Sequence, residues 1–248
     1  MSTEIDQTKE NAISPEVSAM LKEAAMSAGE AETSSIPFIS LRGKVFKMDD
    51  VKLGTELSCV ILATVMEHAW YDRPYDPKSE EVFPPACFAM GASSADLVPD
   101  ETSPAKQADS CSGCEKNEFG SSSNGKGKAC RNGRRLLIAS MSNGKVNLKD
   151  LAIINISPTA LKGFSRYIKS IATLKQVPIW AVQTKLSFEE DSAYPKVLAT
   201  FESVLSAEDI GLISKNIMTY DKDVSVTYDV SQYEAPTKVN DSKKSKMS

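Results

Sequence analysis

Histidine is almost missing: His68 is the single one in 248 residues. This removes mechanisms that pair a His base with a second His, and metal sites built from several imidazoles. No run approaches the roughly 18 consecutive apolar residues that a membrane helix needs. The first residues, Met1-Ser-Thr-Glu-Ile-Asp6, are acidic and lack the basic-then-apolar layout of a secretory signal. Neither a secreted nor a membrane-spanning product is expected. The Gly-x-x-x-x-Gly-Lys-Ser/Thr spacing of a nucleotide-binding loop is absent. No Asp/Glu cluster has magnesium-site spacing, since Asp72, Asp76 and Asp100 are scattered. Excess positive charge is lacking too: 29 Lys+Arg face 33 Asp+Glu, a net charge of −4. Any affinity for a polyanion must therefore rest on local charge.

What is present divides the chain by texture. Residues 1–35 hold seven acids against two lysines. They read as an acidic arm with one short helix started by Ser14-Pro15 and stopped by Gly29; a partner-binding helix is the alternative. From Ile36 the pattern turns to β. Residues 38–47 have strand character, and Thr55 to Trp70 is a buried strand rich in Val, Ile and Thr. Residues from about 76 to 130 lack periodicity and are rich in Gly, Ser, Pro and Asn. Strands follow at 134–141 and 151–156, which are one bent strand unless one of them is extra. Ser157-Pro158 opens a helix running to about Leu174, with Leu161, Phe164, Ile168 and Ile171 on its apolar face. Lys162, Arg166 and Lys169 form a basic row on another face. Residues 179–188 and 196–202 form a hairpin, with Trp180 on the core side. Ser206 caps a C-terminal helix over 206–220, and residues 221–248 form a tail with a basic end.

This order predicts a mainly β fold with α: an OB-like five-stranded Greek-key barrel with a loop insertion and a C-terminal helix. The barrel domain would span 36–205 and the insertion about 76–133. A mixed α+β sandwich is the alternative.

The chemistry concentrates in the insertion. Three of five cysteines crowd there as Cys111-Ser-Gly-Cys114 and Cys130. In a reducing compartment such crowding reads as metal binding before disulfides. Structural zinc takes four thiolate or imidazole ligands. Cys87 is the fourth candidate and His68 the runner-up; Cys59, mid-strand, reads as a core thiol. Free thiols are the plainer reading. A catalytic cysteine lacks a second histidine, and four sulfurs leave a metal no open position, so no catalytic residue is assigned.

Over residues 105–135 seven Lys/Arg face three acids, a local charge of +4. Lys126, Lys128, Arg131, Arg134 and Arg135 are candidate phosphate contacts, with Gly125 and Gly127 offering backbone N–H groups. Trp70, Tyr71 and Tyr75 gather with Arg73 where the long strand ends, and Phe119 lies in the basic loop. Rings of this kind stack on unpaired bases without reading sequence. Lys44, Lys47, Gln183 and Lys185 are weaker groove candidates. The plainer readings are a solvated loop, and Trp70 plugging the barrel end.

Three stretches, Pro-x-Cys87, Gln107-x-x-x-Cys111-x-x-Cys114-x-Lys-Asn-x-Phe-Gly-Ser and Gly-Lys-Gly-Lys-Ala-Cys130-Arg-Asn-x-Arg-Arg, resemble a family of tailed-bacteriophage proteins. So does the later Ser157-Pro-Thr-x-Leu-Lys-x-Phe-x-x-Tyr167. The likeness covers about residues 66–203, and the family is the podovirus-type single-stranded DNA-binding replication proteins. The resemblance implies action in DNA replication and recombination in the cytoplasm of an infected bacterial host. Bacterial single-strand binders end in an acidic recruiting tail. This chain ends instead in Lys238, Lys243, Lys244 and Lys246. Lys243, Lys244 and Lys246 are thus candidates for contacting replication proteins or RNA polymerase. The rival expectation is a zinc-stabilised protein–protein module, either regulating a polymerase or serving as a minor structural protein.

Overall fold

A 14-residue strand organises the molecule. In the computed structural model, which describes residues 36–49, 51–73, 83–231 and 233–235, this strand is β4, Leu57–Trp70. Before it come three short strands, β1 (Ile39–Ser40), β2 (Phe46–Met48) and β3 (Val51–Gly54), which form their own antiparallel sheet. After it come β5 (Cys87–Gly91), β6 (Arg131–Ser142), β7 (Lys145–Ile156), β8 (Val182–Phe188) and β9 (Val197–Val204). The second sheet runs β7-β6-β4-β8-β9, with β5 also on β4. The protein is mainly β, with antiparallel sheets and some helix.

One edge of β4 pairs with β6 from Cys59 to Ala69. Its other edge is shared: Leu57–Val60 pair with β8, and Met66–Trp70 pair with β5. The first half of β4 therefore belongs to the core. The second half carries the insertion, because β5 emerges from the aperiodic stretch expected to be loop. Its other described residues form turns, bends and a 3-10 turn at Glu115–Asn117.

The segments 134–141 and 151–156 are not one bent strand. They are neighbours in a β6–β7 hairpin turned by Asn143 (φ 51°) and Gly144 (φ 75°). Two consecutive left-handed residues make a turn whose twist matches the strands, and Asn-Gly is the pair that takes it readily. At the other end of β6, Gly133 allows a close approach, since a Cβ there would lie 2.8 Å from the Ile156 carbonyl oxygen.

A one-turn 3-10 helix at Pro158–Ala160 leads into α1 (Leu161–Ser170), which lays Phe164 and Tyr167 on the sheet. The chain leaves its last, wider turn through left-handed Gln176. Tyr167 and Thr184 share a buried 2.7 Å hydrogen bond that fixes α1 against β8. The core joins Cys59, Ile61, Leu136, Ile138, Ile154, Ile156, Val182 and Leu186 beneath this helix, and Phe46 stacks on Phe188 at 4.5 Å between centroids. Trp180 lies in a 3-10 turn before β8 and is half-buried rather than in the core.

Ser206 caps a helix as its sequence position suggests, accepting from the Asp209 N–H at 3.1 Å. The C-terminal helix is broken in two, α2 (Ala207–Ser214) and α3 (Ile217–Asp223). Residues beyond it, without sequence pattern, return to the end of β4. Tyr228 reaches Glu67, Tyr233 reaches Asp72, and Arg73 donates to the Glu234 carbonyl. The acidic arm, residues 1–35, lies outside the described residues. So do Tyr75 and the lysines at 238, 243, 244 and 246.

Candidate metal centre and nucleic-acid interface

The second half of β4 presents alternate residues to opposite faces, so Glu67 and His68 begin two different clusters.

On the His68 face, β5 brings Cys87 opposite Trp70. Backbone bonds from Ala86 N–H to the Trp70 carbonyl (2.9 Å) and from Cys111 N–H to the Leu97 carbonyl (2.9 Å) carry the insertion back over this strand end. The Cys130 N–H, bonded to the Lys116 carbonyl at 2.7 Å, closes the loop just before β6. As a result Cys87, Cys111, Cys114 and Cys130 all line one cavity, together with His68, Trp70 and Asn117. All four cysteines are buried. The free volume, about 10 Å³, is on the scale of one water molecule or one ion. Among the described residues no three His, Cys, Asp or Glu side chains already stand in metal-holding geometry. The sulfurs share a cavity without forming a closed cage.

The thiols sense one another. Burial first, then the proximity of Cys87 and Cys114, pushes Cys111 up to about 11. Burial, then Cys111, Cys114 and Cys87, pushes Cys130 up to about 12. Burial also raises Cys87, opposed by the Gln107 N–H at its sulfur. Without a cation these groups are therefore neutral thiols at pH 7. The donor set is soft and all-sulfur, which suits zinc rather than magnesium or calcium. Cys59 is different: it is fully buried in β4 and pushed up by burial, as a core thiol should be.

A polar chain ties the cavity to the basic loop. Lys128 Nζ donates to Asn117 Oδ1 at 3.0 Å, and Asn117 Nδ2 donates to the Cys111 carbonyl at 2.7 Å. Asn132 Nδ2 donates to the same Asn117 Oδ1 at 3.0 Å and also meets His68 Nε2. Burial, then the charge of Lys128, holds His68 below the usual imidazole range, with Glu67 opposing. Asn117 and Asn132 were not among the sequence candidates, although both lie in the cysteine motif.

The loop displays rings beside cations. Phe119 is 84% exposed, and Lys128 Nζ lies 5.3 Å from its centroid. Lys116 Nζ lies 5.5 Å from the Trp70 ring; its position in Cys-x-Lys-Asn was the available signal for this residue. Trp70 is half-buried; Tyr71 keeps part of its ring exposed, but its phenol joins the Glu67 cluster through Tyr228 and is raised by burial. Lys126 and Arg131 are exposed.

Other candidates are engaged elsewhere. Arg135 is fully buried and bonds Glu67 Oε1 through Nη2 at 2.7 Å and Nε at 3.1 Å. It also donates to the Val226 carbonyl. It is not a phosphate contact. Arg134 is half-buried, with its guanidinium 3.2 Å from Met66 Sδ, and desolvation lowers its pKa. Arg73 is half-buried against Phe83, 4.4 Å from the ring centroid. The N–H groups of Gly125 and Gly127 are bonded to Ser122 within the loop (2.8 and 2.9 Å), so they are not offered to phosphates. Lys44 caps the β8–β9 turn by donating to the carbonyls of Glu189 and Glu190. Gln183 and Lys185 face Glu202 and Glu56. Lys47 is half-buried in β2.

On the Glu67 face the charged groups pair with one another, while Asn155, whose Nδ2 donates to the Tyr228 hydroxyl at 3.3 Å, keeps its buried Oδ1 unpartnered among the described residues. Tyr228 donates to Glu67 Oε1 at 2.7 Å. Arg135 lies 4.9 Å from the Tyr228 ring centroid and 5.2 Å from that of Phe38. Burial, then the Glu67 charge, raises the Tyr228 phenol far above its usual range. No described helix is long and apolar enough to cross a membrane. Compared with protein-family models, curated proteins and solved structures, the chain matched nothing.

Proposed function

We propose that this protein is a non-enzymatic, sequence-independent binder of single-stranded DNA, with one structural zinc held by Cys87, Cys111, Cys114 and Cys130. The observation that carries the reading is Phe119, a bare ring with a lysine beside it, on a loop whose two ends meet at a cavity of four thiols. An apolar ring this exposed is costly to keep in water and gains by stacking on a base. The contacts would be Phe119 and Trp70 for bases, Tyr71 being engaged with Tyr228 on the other side of the strand. Lys116, Lys126, Lys128 and Arg131 would take phosphates. Zinc would fasten the loop, so that its side chains lose less freedom on binding.

The sheet order supports an OB-type scaffold. Taking β4, β6, β7, β8 and β9 as strands one to five puts α1 between the third and fourth, as in that barrel. No β7–β9 pairing that would close it is found among the described residues. The phage setting rests on the motif resemblance alone. That setting includes replication, recombination and transcription in the infected host, and recruitment through the terminal lysines.

The test is affinity for oligo-dT and for duplex DNA at two salt concentrations, alongside metal analysis. Expected are one zinc per chain, preference for the single strand and a steep loss of affinity with salt. Lys126→Glu with Lys128→Glu should weaken every sequence alike and flatten the salt slope by about one per lysine. Indifference to oligo-dT at low salt would end the DNA reading.

A second reading, a protein–protein module, is favoured by Leu212 and Met218, which are 45% and 72% exposed on the C-terminal helices. If Leu212→Ser with Met218→Ser abolishes partner capture while oligo-dT binding is unchanged, that surface is the functional one.

A further inference from the structure

We infer that His68 is not a ligand of the cysteine centre but its internal hydrogen-bond donor, giving Nδ1–H to one of the four sulfurs. This rests on the zinc reading above and assigns the fourth ligand to Cys87.

The argument is one of hydrogen positions, and it begins outside the cavity. Lys128 has only protons to give, so the Asn117 atom it meets at 3.0 Å must be the oxygen. The Asn117 amide nitrogen then faces the Cys111 carbonyl, a pure acceptor, at 2.7 Å. With Asn117 fixed, Asn132 must present its own nitrogen to Asn117 Oδ1, at 3.0 Å. Turning Asn132 over would set two oxygens against each other. That same nitrogen meets His68 Nε2. An amide nitrogen cannot accept, so Nε2 does, and a neutral imidazole with Nε2 accepting carries its proton on Nδ1.

Nδ1 is buried and has no partner among the described protein atoms, the four sulfurs included, so the donation would form as the sulfurs gather on an ion. His68 itself is 2% exposed, so bulk solvent does not reach the ring. A protonated ring nitrogen cannot bind a metal. It can serve a thiolate, and the ring lines the same cavity as the four sulfurs. Zinc with four thiolates carries two excess negative charges, and donors to its sulfurs disperse that charge. Cys87 already receives the Gln107 N–H, the kind of support a ligating sulfur receives from its surroundings. Two features thus have one cause: the orphaned Nδ1, and a fifth metal-binding side chain around a four-coordinate ion.

The test uses the full chain loaded with cobalt, whose absorption reports the number of thiolate ligands, and then with zinc. His68→Phe removes the donor; His68→Gln keeps an N–H; Cys87→Ser removes a sulfur. Expected is a four-thiolate cobalt spectrum for the wild type and for both His68 variants, and loss of one thiolate contribution in Cys87→Ser. Zinc release to a thiol-alkylating reagent should be about 10–100-fold faster in His68→Phe and near the wild-type rate in His68→Gln. Circular dichroism of the loaded forms checks that both variants fold. The assignment is overturned if His68→Phe changes the ligand spectrum while Cys87→Ser does not. It is equally overturned if His68→Phe releases zinc at the wild-type rate, or if His68→Gln is as fast as His68→Phe. A wild-type chain that takes up neither metal overturns the zinc reading as well, which separates that failure from failure of the assignment alone.

Discussion

Glu67 and His68 are neighbours on one strand, both buried, and point to opposite faces of the same sheet. Around Glu67 the charged groups are mutually paired: the carboxylate takes Arg135 and Tyr228, and the guanidinium takes a carbonyl and lies beside two rings; the one open atom there is the amide oxygen of Asn155. Around His68 the network stops short, with His68 Nδ1 and Asn132 Oδ1 unpartnered. A buried cluster whose charges pair with one another is architecture, and one that ends on an open ring nitrogen beside a cavity of four thiols is built toward something else. The charge-rich sequence between Lys126 and Arg135 feeds both, and residue type alone does not say which arginine joins which.

The largest effect should come from breaking the closed side. Arg135→Met strands the Glu67 carboxylate in the interior and should cost about 3–5 kcal/mol in denaturant unfolding. Where the protein remains folded, oligo-dT affinity should hold. A clear loss of affinity with unchanged stability would return Arg135 to the DNA surface and dissolve the distinction.

The open side predicts the reverse. Phe119→Ala should lower oligo-dT affinity by about 1–3 kcal/mol, roughly one stacked base. Its effect on thermal unfolding should be slight, because the ring touches little protein. Equal losses of stability and affinity would make Phe119 a packing residue.

The smallest effect sharpens the chemistry of the closed side. The folded state raises the Tyr228 phenol above its unfolded value of about 10. Its contribution to stability is therefore complete below about pH 10 and is lost as pH climbs toward the folded value. Tyr228→Phe should flatten the decline of stability above about pH 10, measured by urea unfolding at several alkaline pH values. An unchanged alkaline slope would mean that the phenol does not titrate with unfolding.

Much of the scaffold was legible because it is written in local pattern. The apolar run ending at Trp70 marks β4, Ser157-Pro158 marks the start of the helical segment, and alternation over 179–188 marks β8, although its first three residues form a 3-10 turn instead. The four cysteines were legible as a group, since spacing places two of them on one knuckle. What escaped depended on distant partners or on short segments. β5 has five residues, too few for a period to declare itself. The Asn143-Gly144 turn was readable, but the polar strand after it hid the hairpin. Arg135 looked like its basic neighbours because Glu67 lies 68 positions away. Tyr228 sits in a stretch without any pattern, and only the fold gives it a role.

The shared edge of β4 has one more consequence. β5 places Cys87 across from Trp70, and neighbouring residues of a strand face opposite ways. A slip of β5 by a single position would therefore swing the Cys87 sulfur through the sheet, away from the other three. On the proposed zinc reading, ion capture and strand alignment would be a single event. A metal that fits only the correctly aligned chain would act as a proofreader of the insertion that carries the exposed Phe119.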